Sequence, residues 1–156
     1  MDGQELYQLA MKYIYGDGVP EDNELAFKLL SQAHKMGHIE ATYNLGICYH
    51  YGYGTSVDLA KAFELYLKSA NAGYGKGMEL VGRFYNRGIY VAQNRGQAEL
   101  WLAVAIRSSD PDAVEEAKKE LSVNGERQSN SRLSRQTNRK NEPASLYFLR
   151  DRDTSF

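Results

Sequence analysis

The chain has little of several residue types whose abundance would define its class. Among its 156 residues there is one cysteine, Cys48, which excludes an intramolecular disulfide framework. Three prolines leave room for long uninterrupted helices. The net charge of −1 gives the chain as a whole no general attraction to nucleic acid or to a membrane surface. No apolar run approaches the roughly eighteen residues that a membrane-spanning helix needs.

Recognisable targeting and catalytic motifs are also lacking. Residues 1–5 are acidic and contain no basic region followed by an apolar one, so no secretory signal is visible and we expect a reducing, cytoplasmic location. The chain has no Ser-x-x-Lys, His-Glu-x-x-His or Cys-x-x-Cys motif. Its Gly-x-Gly pairs lack the third glycine of a dinucleotide-binding loop. We therefore expect neither an enzymatic activity nor a cofactor or metal.

What the chain does have is a repeat of 36 residues in three consecutive copies, at residues 2–37, 38–73 and 74–109. The copies align in columns of tyrosine (Tyr13, Tyr49, Tyr85), alanine (Ala26, Ala62, Ala98), aliphatic residues (Leu9, Leu45, Val81), small residues (Ala10, Gly46, Gly82) and capping residues (Asp22, Asp58, Asn94). Glycines recur in the same register at Gly16 and Gly18, Gly52 and Gly54, and Gly88. Agreement of this many columns over three copies identifies a repeat protein.

Each column has a structural reason. Apolar positions at helical spacing in residues 41–51 predict a first helix, which the Gly-x-Gly segment ends with a left-handed turn. The Asp or Asn column then caps a second helix, and the small residues at Gly46 and Gly82 predict close approach of a neighbouring helix. Two short helices cannot bury their apolar faces alone, so the units must stack. The sequence thus predicts an all-α fold, a short right-handed α-solenoid of three helix-turn-helix repeats.

A further helix is predicted to cap the last repeat. Asp110 and Pro111 are typical of a helix start, and Ala113 falls in the column of Ala41 and Gly77. Residues 110–122 therefore resemble a truncated fourth first helix, and their many charged residues suit a terminal cap. The solenoid with its cap is predicted to span residues 1–123.

The columns resemble the Sel-one-like repeat, a bacterial-dominated relative of the tetratricopeptide repeat. The second unit carries the resemblance at Ala41, Leu45, Gly46, Tyr49, Gly52, Gly54, Asp58, Ala62, Tyr66, Lys68, Ala70 and Gly73. The first unit matches at Gly16, Gly18, Val19, Asp22, Ala26 and Gly37, and the third at Gly82, Tyr85, Gly88, Ala98 and Trp101. The third unit departs from the pattern at Asn94, Ile106 and Ser109. The resemblance implies the solenoid fold and a role in assembling protein complexes, and it leaves the partner open.

The first helices of stacked units line a concave surface, whose open side can be found by counting about 100° per residue. The residues predicted to contact a partner there are Tyr7, Met11, Ile14 and Tyr15 in the first unit, Tyr43, Ile47, His50 and Tyr51 in the second, and Glu79, Arg83, Asn86 and Arg87 in the third. Tyrosine and arginine are enriched at binding hot spots. The predicted face thus forms a gradient from tyrosine and aliphatic side chains in the first two units to arginine side chains in the third. A partner with an apolar stretch near an acidic group would fit this gradient. Alternatively, the tyrosines pack on one another and the arginines form a solvated charged surface.

Four side chains that could carry chemistry have simpler interpretations. His34 and His38 are four residues apart, but Gly37 between them marks a helix end and no third ligand completes a zinc site. His50 is expected to be a contact residue rather than a base. Cys48 is expected to be a partly buried small side chain, because no paired base would activate it as a nucleophile.

Residues 124–156 lack the repeat and are predicted to form a basic, disordered tail. Its basic residues are Arg127, Arg132, Arg135, Arg139, Lys140, Arg150 and Arg152, and its apolar cluster is Leu146, Tyr147, Phe148 and Leu149. The tail could be a solvating segment, attach to nucleic acid or an acidic partner, act as a short linear motif, or fold back into the protein's own groove.

The leading functional hypothesis is an adaptor or regulatory scaffold that binds another protein or a peptide segment on its concave face. One alternative is an immunity-type protein that neutralises a toxin or effector. A second alternative is nucleic-acid association through the tail, which would show steep salt dependence. No membrane association is expected, and the sequence does not indicate an oligomeric state.

Overall fold

The architecture consists of paired helices. The computed structural model describes residues 1–127, which form seven α-helices and no strand. The helices are α1 (Gly3–Tyr15), α2 (Asn23–Lys35), α3 (Ile39–Tyr51), α4 (Leu59–Asn71), α5 (Gly75–Arg87), α6 (Arg95–Ile106) and α7 (Pro111–Arg127). The first six pair as three helix-turn-helix units in the predicted register, which confirms the predicted all-α repeat fold. Within this part of the chain, no helix has both the length and the hydrophobicity to cross a bilayer.

A left-handed glycine ends the first helix of every unit. Gly16, Gly52 and Gly88 have φ values of 66°, 77° and 64°, and each donates its N–H to a carbonyl four residues earlier. Glycine fits this position because it has no Cβ to clash in the left-handed region. The first two units use a second positive-φ glycine two residues later, whereas the third unit has Tyr90 there, with φ 62°. The third turn therefore has the same backbone conformation as the other two, but Tyr90 is strained there because it has a Cβ.

The second helix of every unit begins at a side-chain cap. The carboxylates of Asp22 and Asp58 and the amide oxygen of Asn94 each accept a backbone N–H three residues on, at 2.9, 3.0 and 3.0 Å. Their φ values, −147°, −145° and −142°, are nearly identical. The columns of the sequence therefore correspond to equivalent positions in three structurally equivalent units.

The small residues inside the first helices allow the two helices of one unit to approach closely. A Cβ added to Gly46 would lie 2.7 Å from Cε1 of Tyr66, and one added to Gly82 would lie 2.7 Å from Cγ of Leu102. Tyr66 and Leu102 occupy matching positions on α4 and α6, and both are fully buried. The predicted close approach is confirmed, and it places the core of each unit between its own two helices.

Helix α7 packs against the last unit in a defined direction. Arg83 of α5 pairs with Glu116, and Arg87 pairs with Glu120, so α5 and α7 run parallel. Because α5 and α6 form an antiparallel hairpin, α7 is antiparallel to α6. It continues to Arg127, five residues beyond the predicted end at 122. The beginning of the segment predicted to be a disordered tail is thus helical.

Candidate functional site

The predicted contact face lies where each first helix meets the next unit, and it is only partly open. Partial exposure is retained by Tyr7, Met11, Tyr15, Tyr43, His50, Tyr51 and Arg83, and Arg87 is exposed. Ile14, Ile47, Glu79 and Asn86 are buried. The expectation that these four lie on an open side is wrong. Counting 100° per residue separates only a packed side of a helix from an open side, and a first helix in this stack is covered on more than one side. A first helix in a stack is covered by its own second helix, by the preceding unit and by the following unit.

In the first unit, the face is held by residues of the second. The ring of Tyr7 stacks on His38, with 4.7 Å between ring centroids. Asn44 of α3 donates through Nδ2 to the Tyr7 hydroxyl at 3.4 Å and lies 4.0 Å from the Met11 sulfur. The Tyr7 ring is therefore fixed in position while part of its surface stays accessible.

In the second unit, the face rests on Tyr66, a residue that sequence reasoning placed only in the repeat pattern. Tyr66 is fully buried, which raises the pKa of its hydroxyl well above the ordinary value. Its hydroxyl forms a 3.1 Å hydrogen bond with Nδ1 of His50, whose ring stacks on Tyr51 at 4.3 Å and meets the edge of Phe84 at 5.2 Å. Tyr43 lies 5.7 Å from the Tyr66 ring. His50 is thus a packed contact residue with an internal hydrogen bond.

In the third unit, carboxylates of α5 and α7 pair with the two arginines that were expected to contact a partner. Arg83 Nη2 lies 2.6 Å from Glu79 and 3.4 Å from Glu116. Arg87 donates to Glu120 from Nε at 2.9 Å and from Nη2 at 2.5 Å. Three carboxylates therefore surround two guanidinium groups. The basic end of the predicted gradient is neutralised within the protein.

The two most buried carboxylates of this cluster have pKa values shifted in opposite directions. Burial raises the pKa of Glu79 more than the attraction of Arg83 lowers it. Burial also acts to raise the pKa of Glu120, but hydrogen bonds from Arg87 and Asn86 outweigh it, and the net pKa is lowered. The Asn86 bond is 2.6 Å long. Glu120 is thus the carboxylate that the cluster stabilises as an anion.

The two histidines of the α2–α3 connection have separate structural partners. His34 Nδ1 forms a 2.8 Å hydrogen bond with the Thr42 hydroxyl. His38 is the N-cap of α3, where its Nδ1 accepts from the Ala41 N–H at 3.2 Å, while its Nε2 lies 2.8 Å from Gln4 Oε1. The two rings bond to different residues and share no ligand position.

Cys48 is more deeply buried than the sequence indicated. Its side chain is 2% exposed, and burial raises the pKa of the thiol to about 12. The thiol is therefore protonated and shielded at neutral pH, which agrees with the expectation that it is not a nucleophile.

The outer surface of α6 is a feature that the repeat pattern did not predict. Leu100 and Val104 are 64% and 46% exposed and lie one turn apart, with the exposed Ala103 beside them. The other two units have exposed polar residues at the two matching positions, Lys28 and Gln32 in the first and Glu64 and Lys68 in the second. A comparison of these columns would have revealed the difference. The predicted tail cluster at 146–149 lies outside the described residues.

Comparison with known families identifies the repeat. The Sel1 repeat family matches three consecutive segments, residues 6–38, 39–74 and 75–110. The chain belongs to the Sel1 repeat family. Sel1 repeat proteins are generally protein-interaction modules, of a non-enzymatic scaffold type. No curated protein matches the chain in a sequence search.

Solved Sel1 repeat structures share the fold. A Sel1 repeat protein from Oxalobacter formigenes is 29% identical with a TM-score of 0.66, covering 76% of this chain and 89% of its own. A protective antigen of uropathogenic Escherichia coli, c5321, is 26% identical with a TM-score of 0.70, and the match covers 96% of this chain but 30% of the antigen. Cysteine-rich protein B of Helicobacter pylori, at 22% identity and TM-score 0.57, covers 74% of this chain and 96% of its own and supports the fold alone.

Proposed function

We propose that the protein binds a segment of another protein on the first-helix face of its first two units. This face consists of Tyr7, Met11, Tyr15, Tyr43, His50 and Tyr51. The observation that carries the proposal is that all six side chains stay partly exposed, while the rings of Tyr7, Tyr43, His50 and Tyr51 are packed against neighbouring rings. Rings fixed before binding lose little conformational entropy on contact, which favours affinity.

The partner segment is expected to be apolar or aromatic rather than acidic. Arg83 and Arg87 point to an acidic partner only if they are open, and both already pair with carboxylates of α5 and α7. The face that remains is formed by five aromatic side chains and one methionine. Binding should therefore depend weakly on ionic strength, in contrast with a charge-driven complex.

The test compares partners recovered by the full chain and by a Tyr7→Ala/Tyr51→Ala variant. Truncating two anchoring rings is expected to weaken binding about thirtyfold or more, because removing an aromatic anchor costs ~1–2 kcal/mol or more for each ring. A Lys28→Ala/Glu64→Ala variant is the matched control, since both residues are exposed on the outer side of the second helices. Circular dichroism checks that both variants keep the helical fold.

Affinity for a partner recovered in this way should be measured between low and high salt. Loss of binding in the tyrosine variant but not in the control, with little salt dependence, supports the proposal. Equal recovery of every partner by both variants would contradict it. A steep salt dependence that is lost when Arg132, Arg135 and Arg139 are replaced would instead favour nucleic-acid association through the tail.

The narrower role that we favour is an adaptor or scaffold in the cytoplasm, without catalytic activity. An immunity-type protein that blocks a toxin would use a larger interface and bind a single partner at nanomolar strength. A measured affinity and a count of distinct partners therefore separate these two roles.

A further inference from the structure

The outer face of α6 is apolar at positions where the other units are solvated. Leu100 and Val104, with Ala103, form a stripe at i, i+3 and i+4 on one side of the helix. At the positions that match Leu100 and Val104, α2 and α4 have exposed Lys, Gln and Glu side chains. Since all three units share the same geometry, stacking does not require an apolar residue there. A cluster of exposed apolar residues confined to one unit is a candidate surface for a packing contact.

The size of the stripe determines what kind of segment can cover it. A stable interface between separate proteins buries about 1,200–2,000 Å² in total. Three side chains from one turn of a helix supply only a few hundred Å², roughly a quarter of that or less. A second copy of the chain or a separate protein would therefore be held weakly by this stripe. A segment of the same chain needs far less contact, because tethering gives it a millimolar effective concentration.

We propose that the apolar segment Leu146-Tyr147-Phe148-Leu149 docks on this outer face of α6. The segment follows α7 in the chain, and α7 packs beside α6. The alternating charges at Arg150, Asp151, Arg152 and Asp153 come directly after it. These charges can pair with Glu99 and Arg107, which are exposed next to the stripe. The proposal is independent of partner binding on the first-helix face.

The length of the connection matches the distance to be spanned. Eighteen residues, 128–145, separate the end of α7 from the segment. At 1.5 Å per residue, Arg127 lies about 10 Å beyond Glu120 along α7. Measured along the helix axes, Leu100 of α6 lies within about one helical turn of Glu120 of α7. With a helix diameter of about 10 Å to pass around, the span is roughly 20–25 Å. A flexible chain of this length has a root-mean-square extension of about 21–25 Å, the condition for the highest effective concentration.

The chain provides its own reporter for this contact. Trp101 is the single tryptophan and is the residue next to Leu100 on α6. Cys48 is the single cysteine, is buried, and has its thiol pKa raised to about 12, so it does not react with a maleimide in the folded protein. A Ser145→Cys substitution in the full chain therefore accepts one nitroxide label beside the segment. If the segment is docked in most molecules, labelling should reduce Trp101 emission about twofold or more, independently of protein concentration.

Two variants test whether the quenching arises from the proposed contact. Leu100→Lys/Val104→Gln gives α6 the residues that the first unit has at these positions, and it should restore most of the emission. Tyr147→Asp/Phe148→Asp should do the same while leaving the solenoid unchanged, so it remains informative if the first variant misfolds. Met36→Lys is the matched control, because Met36 is similarly exposed, at 57%, in the first unit. It should leave the quenching unaffected.

Three results would overturn the proposal. The first is full Trp101 emission in the labelled chain that has no substitution in the α6 face or in the segment 146–149. The second is quenching that persists in the Tyr147→Asp/Phe148→Asp variant. The third is quenching that rises with protein concentration or passes from labelled to unlabelled molecules, which would assign the α6 face to a second copy of the chain.

Discussion

Glu120 of α7 accepts hydrogen bonds from Nε and Nη2 of Arg87, at 2.9 Å and 2.5 Å, while its own side chain is 3% exposed. It also accepts from Asn86. In the first two units, the column of Asn86 contains Ile14 and His50, which pack through apolar or aromatic contacts. The third unit has thus replaced these contacts by polar groups that bind α7. Arginines that the sequence suggested as hot spots serve to close the end of the solenoid.

The first prediction concerns this closure. Glu120→Gln keeps the size of the side chain but removes the charge that Arg87 and Asn86 stabilise. We expect the free energy of unfolding to fall by about 1.5–3 kcal/mol, because bonds to a buried charged group are lost and the partners stay buried. Urea unfolding followed by circular dichroism measures the change.

Glu115→Gln is the control for Glu120→Gln. Glu115 is on the same helix, but it is 68% exposed and pairs only with the exposed Lys119. Such a surface pair contributes little, so the variant should unfold at the same urea concentration as the wild type. Equal losses in the two variants would show that α7 responds to any lost carboxylate and not to the contact with Arg87.

The second prediction concerns the close approach of the two helices within a unit. Gly46→Ala would place a Cβ 2.7 Å from the buried ring of Tyr66, which cannot move because it is enclosed on all sides. We expect a loss of about 1–3 kcal/mol in the free energy of unfolding despite the better helix propensity of alanine. Thermal unfolding gives the difference.

The same substitution at Gly96 should have the opposite sign. Gly96 is exposed in α6, and the nearest atom to an added Cβ is Asn94 Oδ1 at 3.5 Å. Without a clash, only the helix propensity changes, and Gly96 lies in the first turn of α6, so Gly96→Ala should stabilise the protein by up to about 0.5 kcal/mol. A destabilised Gly96→Ala variant, or a neutral Gly46→Ala variant, would refute the steric argument.

The fold could be predicted because its determinants are local. Gly52 ends a helix through its own backbone conformation, and Asp58 begins the next through a bond three residues away, so both leave a pattern that repeats every 36 residues. The exposure of the contact face could not be predicted in the same way. Ile47 and Asn86 are buried by the units that follow them, and their own helix does not determine this.

Two features of the candidate surfaces were visible in the sequence but require a comparison across units. Tyr66 occupies a buried column whose other members are Leu30 and Leu102, so a hydroxyl there needs a partner, which His50 provides. Leu100 occupies a column whose other members are charged. Family columns emphasise residues that agree, whereas these two surfaces depend on residues that differ between units.

The third prediction concerns the strained turn of the last unit. Tyr90 has φ 62°, a region that costs a residue with a Cβ about 1–2 kcal/mol, and its ring is 57% exposed with one aromatic neighbour, Phe63, at 5.9 Å. Tyr90→Gly restores the glycine of the other units and should raise the free energy of unfolding by about 0.5–1 kcal/mol, after loss of the Phe63 contact. Gly18→Ala, at φ 73° with no atom within 4 Å, is the complementary variant and should destabilise through backbone strain alone.

The fourth prediction is a pH dependence centred on His34. Burial, and next the positive charges of Lys68 and Lys35, lower the pKa of His34 below its ordinary value of 6.5. The Thr42 hydroxyl donates to the His38 carbonyl at 2.9 Å, so it receives the Nδ1 proton of His34 at 2.8 Å. The unfolded chain therefore binds a proton at His34 more readily than the folded chain does.

Linkage then fixes the sign of the effect. The stabilisation associated with neutral His34 is complete above about pH 6.5, and it is lost as the pH falls from that value through the lowered pKa of the folded state. His34→Gln can keep the hydrogen bond to Thr42 but does not titrate, so its free energy of unfolding should fall less between pH 7.5 and pH 5.5 than that of the wild type. Urea unfolding at these two pH values measures both slopes. Parallel slopes in the two proteins would mean that another group controls stability in this range and that His34 is not preferentially protonated on unfolding.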